Sequence, residues 1–427
     1  MKIKLLITSA LLWCVTLHAQ TIDNIINKNE VQRIESILSN DSMAGRKVFS
    51  AGINKAADFI SKEFSAIGLQ TFKGAKSFKQ EFEMMGATTS SISGSVNSLH
   101  LKEENIIAIT TMPLLTITPK SGFEIASIKK GDNFFRKAFS YINAKKNYLV
   151  LVSNSFSANF NRLNEFKSPL FKSDNSVVFI LSDEESKEYS ISIASKISAM
   201  PIANIVGVLP GKSKKNEFVI FSAHYDHLGI GAPVDGDSIF NGANDDAAGS
   251  TAVIMLAKYF KSLGNQERTL IFTTFAAEEI GGYGSQYFSR QLNADDVVAM
   301  FNIEMIGTDS KWGNNSAYIT GYEKTNLGKI LEKNLTGTGF TFYPDPYPDQ
   351  DLFYRSDNAT LAKLGVPAHT ISTSKMDSEK FYHTVKDEIG TLVLDNMAMI
   401  IKAIALSAGT IINGKDTPSR VDVQQLR

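Results

Sequence analysis

Five short segments of this chain carry side chains of the kinds that bind metals or move protons. They are His224-Tyr225-Asp226-His227, Asn244-Asp245-Asp246, Glu278-Glu279, Glu304 and Tyr382-His383. Each alone has an ordinary explanation. A histidine after a strand is commonly a hydrogen-bonded structural residue, and adjacent glutamates commonly open a solvated helix. Their setting is less ordinary. Phe218 to Ala223 is mostly apolar and runs directly into His224. Leu270 to Ala277 is apolar apart from its threonines and ends in Glu278-Glu279, and Val297 to Ile303 runs into Glu304. Core strands that repeatedly finish in an acid at one edge gather negative charge. That charge repels itself unless a cation sits among it.

The sequence limits what can hold such a cation. Cys14 is the single cysteine, and it lies in an apolar stretch near the amino terminus. A metal must then be held by His, Asp and Glu, a donor set that suits zinc when thiolates are absent. Asp245, Glu279 and Glu304 bring three negative charges, and a bridging hydroxide would bring a fourth. Two divalent cations balance that set. A pair of ions about 3.5 to 4 Å apart can bind one water between them and make it acidic near neutral pH.

The elements that must position these residues follow from periodicity. Residues 31 to 39 and 53 to 67 read as amphipathic helices, with Gly45-Arg46 in a polar turn between them. From about residue 86 to 201 the chain is Ser-rich with short strand-like runs at Ile106 to Ile109, Tyr148 to Val152 and Val177 to Leu181. This stretch reads as a β-rich insertion or lid domain. From Ile202 strands and helices alternate: strands Ile205 to Leu209, Phe218 to Ala223, Thr269 to Phe275 and Val298 to Ile303, and a long helix from Ala247 to Leu263. A short helix follows Gly284, and further helices are expected near 325 to 335 and 386 to 408. Alternation of this kind implies an α/β fold, a mostly parallel mixed sheet covered by helices on both faces. Ligands bind such sheets beyond the carboxyl ends of the strands. The expected organisation is a signal peptide over 1-19, a main domain from 20-85 and 202-427, and the insertion over 86-201.

Lys2 and Lys4 precede an apolar run from Leu5 to Leu17, followed by Ala19-Gln20, the layout of a secretory signal that is too short for a comfortable membrane span. The expectation is export, to the periplasm or outside the cell, with no membrane contact after signal removal. Lys plus Arg and Asp plus Glu each total 44, so no net field favours nucleic acid. No internal repeat or low-complexity tract points to a solenoid or a disordered scaffold.

Taken together, the five segments resemble those of the co-catalytic dizinc aminopeptidases, a family whose relatives include glutamate carboxypeptidases, glutaminyl cyclases and the transferrin-receptor ectodomain. The resemblance rests on Ser222 to Gly229, Gly242 to Gly249, Phe275 to Glu279, Asn302 to Gly307 and Tyr382 to Thr384, and it covers roughly residues 30 to 85 and 202 to 412. It implies peptide hydrolysis, peptide substrates and two zinc ions per chain. His224 and Glu304 would bind one zinc, Glu279 and His383 the other, with Asp245 bridging them. Glu278 would be the general base and later proton donor. Tyr382 would help stabilise the oxyanion, and Asp226 would hydrogen-bond the His224 ring and fix its tautomer.

The chain departs from the family in two places. The family more often has Asp at the position of Glu304, and Arg355-Ser356-Asp357-Asn358 has Asn where a related loop often has His. His227 reads as structural or as a supporting neighbour of a ligand, and His369 as structural. Single-zinc glutaminyl cyclisation, carboxypeptidase or dipeptidase action, and a receptor-like module without metals are the alternatives. A complete ligand set argues against the first and the last.

Overall fold

The computed structural model describes residues 22–426, apart from 168 and 185–187. The expected signal segment and Cys14 therefore lie outside the described residues. The chain divides into two units, Phe82–Ile202 and the stretches up to Glu81 and from Ala203 onward.

The larger unit is built on a sheet of β1 (Tyr189–Leu209, which enters the unit at Ala203), β2 (Lys214–His224), β3 (Arg268–Phe275), β4 (Val297–Ile303), β5 (Ser316–Ile319), β6 (Thr341–Pro344) and β7 (Ala368–Ser372). Their spatial order is β6-β5-β7-β4-β2-β3-β1. The central strands β3, β2, β4 and β7 are parallel, whereas β1 runs antiparallel to β3, and β5 runs antiparallel to β7 and parallel to β6. This is the mostly parallel mixed sheet that the alternating pattern predicts.

Successive residues on each strand serve opposite faces, as the two-residue period of a strand requires. On one face Phe221 stacks against Phe272 and Phe301 at 5.6 and 5.0 Å, and against Phe260 of helix α3 (Ala248–Leu263) at 5.4 Å. On the other, Ile220, Ile271 and Met300 join a buried cluster with Phe288, Leu361 and Ala362. Those three residues lie on α4 (Tyr283–Ser289) and α6 (Asn358–Ala362).

Helix α3 (Ala248–Leu263) is apolar on nearly every side, because it is covered in turn by α1 (Lys28–Leu38), α2 (Ala51–Ile67) and α7 (Leu394–Ser407). The remaining helix, α5 (Leu327–Asn334), packs near β6. The boundaries of α2 are chemically explicit. Ser50 Oγ accepts from the amides of Gly52 and Ile53, and Gly68 ends the helix at φ 80°. The expected helix near 386 to 408 is shorter than predicted, because residues 386 to 393 are a 3₁₀ turn and loop.

The turn at Gly45-Arg46 is a correction to the sequence reading. Arg46 is buried, and its guanidinium donates to the carbonyls of Leu38, Tyr225, Asn241 and Gly242. One of these carbonyls ends α1 and the other three lie in loops, and a fork of five donors can satisfy several at once.

The smaller unit holds a sheet ordered Ile106–Ile109, Val177–Leu181, Tyr148–Val152, Glu124–Ile128. Its first pair is antiparallel and the others are parallel. Helix Phe134–Asn143 supplies the crossover that parallel neighbours need, and the sequence reading had not anticipated it.

Close approach of α3 to β4 sets one strict local requirement. A Cβ on Gly249 would lie 2.2 Å from the Ile303 carbonyl oxygen and 2.4 Å from Asp246 Oδ2. Gly249→Ala should therefore cost about 1–3 kcal/mol of stability, read as a lower urea midpoint with an unchanged slope. An unaltered midpoint would contradict this packing.

Candidate metal centre

The parallel strands end side by side. His224, the last residue of β2, pairs in register with Phe275 of β3, and Ser222 pairs with Asn302 of β4. Glu278-Glu279 and Glu304 follow directly beyond those ends. Asp245 comes from the loop before α3, and its peptide bond to Asp246 is cis. His383 comes from the loop before α7. Three residues beside or within the cluster have left-handed backbone, Ala277 at φ 62°, Met305 at φ 52° and His383 at φ 56°. Non-glycine residues adopt that conformation at a cost, and surrounding structure must hold them there.

The structure brings the five expected ligands and Glu278 to one place. Asp245 stands at the middle. Its Oδ1 lies 3.1 Å from His224 Nε2, and its Oδ2 lies 3.3 Å from His383 Nε2. His383 Nε2 is also 3.1 Å from Glu279 Oε2. Asp245, Glu278, Glu279, Glu304, Tyr382 and His383 line a common cavity of about 260 Å³.

His227, read from sequence as a supporting residue, is closer to the centre than that reading placed it. Its Nδ1 lies 2.7 Å from Glu279 Oε1, and His227, Asp245 and Glu279 form a compact group able to hold a metal ion.

The electrostatics are those of a crowded site. Burial alone would raise the Asp245 carboxyl, but His224, His383 and His227 hold it far below the usual carboxylate range. Burial disfavours a charged His383, yet Asp245 and Glu279 push it up to about 10. Glu278 is pushed well up by burial, and the neighbouring Glu304, Asp357 and Glu279 carboxylates add to this against His224. Burial also raises the Tyr382 hydroxyl, with Asp245, Glu279 and Glu304 adding and Arg355 opposing. The Tyr382 and His383 rings stack at 3.8 Å.

Asp226 does not play the part expected of it. The His224 ring meets the Asp226 backbone carbonyl, Nδ1 to O at 3.1 Å, while the nearer carboxylate oxygen is 3.9 Å away. That carboxylate is turned instead to the strand end opposite, where it accepts from the amides of Glu278 and Glu279 at 3.1 and 3.3 Å.

Two further acids do similar work, Asp246, to which the sequence reading gave no role, and Asp387, which it did not single out. Asp246 accepts from the amides of His224, Gly249 and Met305. Asp387 accepts from the amides of Asn244 and Asp245. Their signal was their closeness to ligands, one residue after Asp245 and four after His383. Asn358 is a buried structural residue, donating to the Phe353 carbonyl and accepting from Thr370. His369 is held between the Thr320 carbonyl and the Thr325 hydroxyl.

These residues fit a divalent metal on the evidence of their own atoms. Among the described residues, His227 Nε2 and Glu304 Oε2 are buried polar atoms without a hydrogen-bond partner, while His224 Nε2 and Asp245 Oδ2 face a neighbouring carboxylate or imidazole at 3.1 and 3.3 Å without hydrogen-bond geometry. Buried polar atoms left unsatisfied are costly and rare, and their gathering in one polar cluster marks a site suited to a cation. Nitrogen and carboxylate donors without sulfur suit zinc.

The fold and part of the sequence have counterparts among known proteins. Residues 204–408 match Peptidase family M28. Among relatives, "Leucine aminopeptidase 1" of Pyrenophora tritici-repentis is 30% identical over 209 residues, covering 46% of this chain and 52% of that protein. Its namesake from Neurospora crassa is 28% identical over 210 residues, covering 45% and 50%. The match thus spans about half the length of these relatives. Among solved structures, an aminopeptidase from Aneurinibacillus sp. strain AM-1 aligns over 95% of this chain and 98% of its own, with TM-score 0.55 and 18% identity. BSAP, a zinc aminopeptidase from Bacillus subtilis, aligns over 92% and 97%, with TM-score 0.54 and 18% identity. At that identity the likeness is one of fold.

A metal can bind His383 only through a neutral ring, and without metal this ring is protonated up to about pH 10. Adding zinc to metal-free protein at pH 7 should therefore release protons, and apparent affinity should rise with pH. Calorimetric titration in two buffers of different ionisation heat would read the release. Identical heats in both would contradict the assignment.

Proposed function

We propose that this protein is an exported dizinc aminopeptidase that removes residues from the amino-terminal end of peptides. The observation that carries the two-metal reading is the placement of Asp245, whose two oxygens face different imidazoles, His224 on one side and His383 on the other. A carboxylate shared in this way suits a bridge between two ions, with Glu304 completing one side and Glu279 the other. The names of the relatives, leucine and zinc aminopeptidases, support the reaction and its direction. The amino-terminal pattern of Lys2, Lys4 and the apolar run supports export.

Bound between these ligands, divalent zinc would polarise the scissile carbonyl and acidify a water shared by the pair. The protein's own groups do the rest. Glu278, whose affinity for a proton is raised by burial and by neighbouring acids, takes the proton of the attacking water and passes it to the leaving amine. Asp226 fixes the backbone of Glu278 and Glu279, so that these neighbours can do different work from one strand end. The Tyr382 hydroxyl stays protonated at neutral pH and can donate to the developing oxyanion. His227 orients Glu279 through its 2.7 Å contact.

Glu278→Gln should keep the fold and the metal content while turnover of aminoacyl substrates falls about 10²- to 10⁴-fold. Metal analysis beside the assay checks both halves, and unchanged turnover would remove Glu278 from the role of base. The compact group of His227, Asp245 and Glu279 favours a second reading, in which one ion suffices and the chain cyclises amino-terminal glutamine. One tightly held zinc per chain together with that cyclisation would replace the first reading. Amino-terminal sequencing of the protein from its native host should begin close after Ala19; an intact Met1 would exclude signal cleavage.

A further inference from the structure

The cavity beside the metal ligands is electrically lopsided. Asp245, Glu278, Glu279 and Glu304 line one part of it. Among the described residues that line it, Arg355 is the only lysine or arginine. The wall between these poles carries hydroxyl groups, but several have already given their protons to the protein. Tyr318 donates to the Ser374 carbonyl at 3.1 Å, Thr370 to Asn358 Oδ1 at 2.9 Å and Ser372 to the Met305 carbonyl at 3.4 Å. A hydroxyl whose proton is engaged offers only lone pairs, and these repel an anion.

Arg355 is set on a firm base. Its amide donates to the Leu352 carbonyl at 3.1 Å, and Leu352 packs with Tyr318 and Tyr347. The next residue, Ser356, accepts from Asn302 Nδ2 of β4 at 2.7 Å, which ties this loop to the strand that ends in Glu304. The guanidinium itself is exposed at the cavity, with Nη1 donating to the neutral Gln350 side chain at 3.3 Å. An arginine fork held in this way matches the planar, two-oxygen geometry of a carboxylate.

We infer that Arg355 is a specificity residue that grips a substrate carboxylate lying within reach of the scissile bond. The inference rests on the peptidase reading and deepens it by naming a substrate class. The carboxylate has two chemical sources: an acidic side chain on the amino-terminal residue, or the free chain end of a dipeptide. Either would be drawn to this guanidinium, the one lysine or arginine charge among the described residues of the cavity wall. A purely aliphatic substrate gains nothing from the guanidinium.

Two matched substrate pairs test this in the full-length, zinc-loaded enzyme. The first pair is glutamyl against glutaminyl p-nitroanilide, and the second is Leu-Leu against Leu-Leu amide. In Arg355→Gln, the ratio of kcat/KM for the carboxylate member over its neutral partner should fall about tenfold in one pair, chiefly through KM. Arg355→Lys should recover part of it, because it keeps the charge and loses the fork. A response in the first pair assigns the side-chain source, and a response in the second assigns the chain end. An equal loss on both members, or unchanged ratios in both pairs, overturns the inference while leaving the peptidase reading intact. A wild-type enzyme that hydrolyses none of the four overturns both together.

Discussion

The larger unit is organised around an electrostatic debt. Three parallel strands deliver His224, Glu278-Glu279 and Glu304 to one edge, and two loops bring Asp245 and His383 against them. Buried like charges at this spacing oppose folding unless a counter-charge answers them. In the protein alone the imidazoles answer in part, which is why His383 holds its proton so firmly and Asp245 gives its proton up so readily. Divalent cations would answer in full. The same arrangement that makes the edge costly without metal makes it selective for metal.

A second layer of carboxylates keeps that edge in shape. Asp226, Asp246 and Asp387 spend their oxygens on backbone amides rather than on ligand side chains. Each holds the amide of an expected ligand itself, Asp226 that of Glu279, Asp246 that of His224 and Asp387 that of Asp245. This is a sturdier device than orienting a ring, because it fixes where the Cα sits before any rotamer is chosen. It also lets the left-handed residues Ala277, Met305 and His383 persist next to the site.

Much of this was legible in the sequence. An apolar strand that ends in an acid is visible without coordinates, and so is the alternation that makes the sheet parallel. His224, Glu278, Glu279 and Glu304 stand where apolar strands stop, while Asp245 and His383 were singled out by the resemblance to the dizinc aminopeptidases. Other features were hidden for physical reasons. Arg46 sits among Asn40, Asp41 and Ser42 in a stretch that reads as a solvated turn, and its burial depends on carbonyls supplied from far along the chain. The orientation of the Asp226 carboxylate is a rotamer choice that spacing does not encode. Asp387 follows no apolar strand and so gave no periodic signal. The helix Phe134–Asn143 was missed although Phe134 and Ala138 are its buried residues, because its short apolar stripe is blurred by the exposed Phe139.

Arg46 and the carbonyl of Tyr225 are 179 residues apart in the chain, yet they meet directly behind the ligands. During synthesis the guanidinium leaves the ribosome long before the loops it must bind. It stays hydrated until the whole of the intervening smaller unit has been made and set aside. Only a chain that has folded both of its ends can dehydrate that arginine without loss. Assembly of this edge is thereby tied to completion of the protein, and a fragment that stops short of the second half presents no finished cleft.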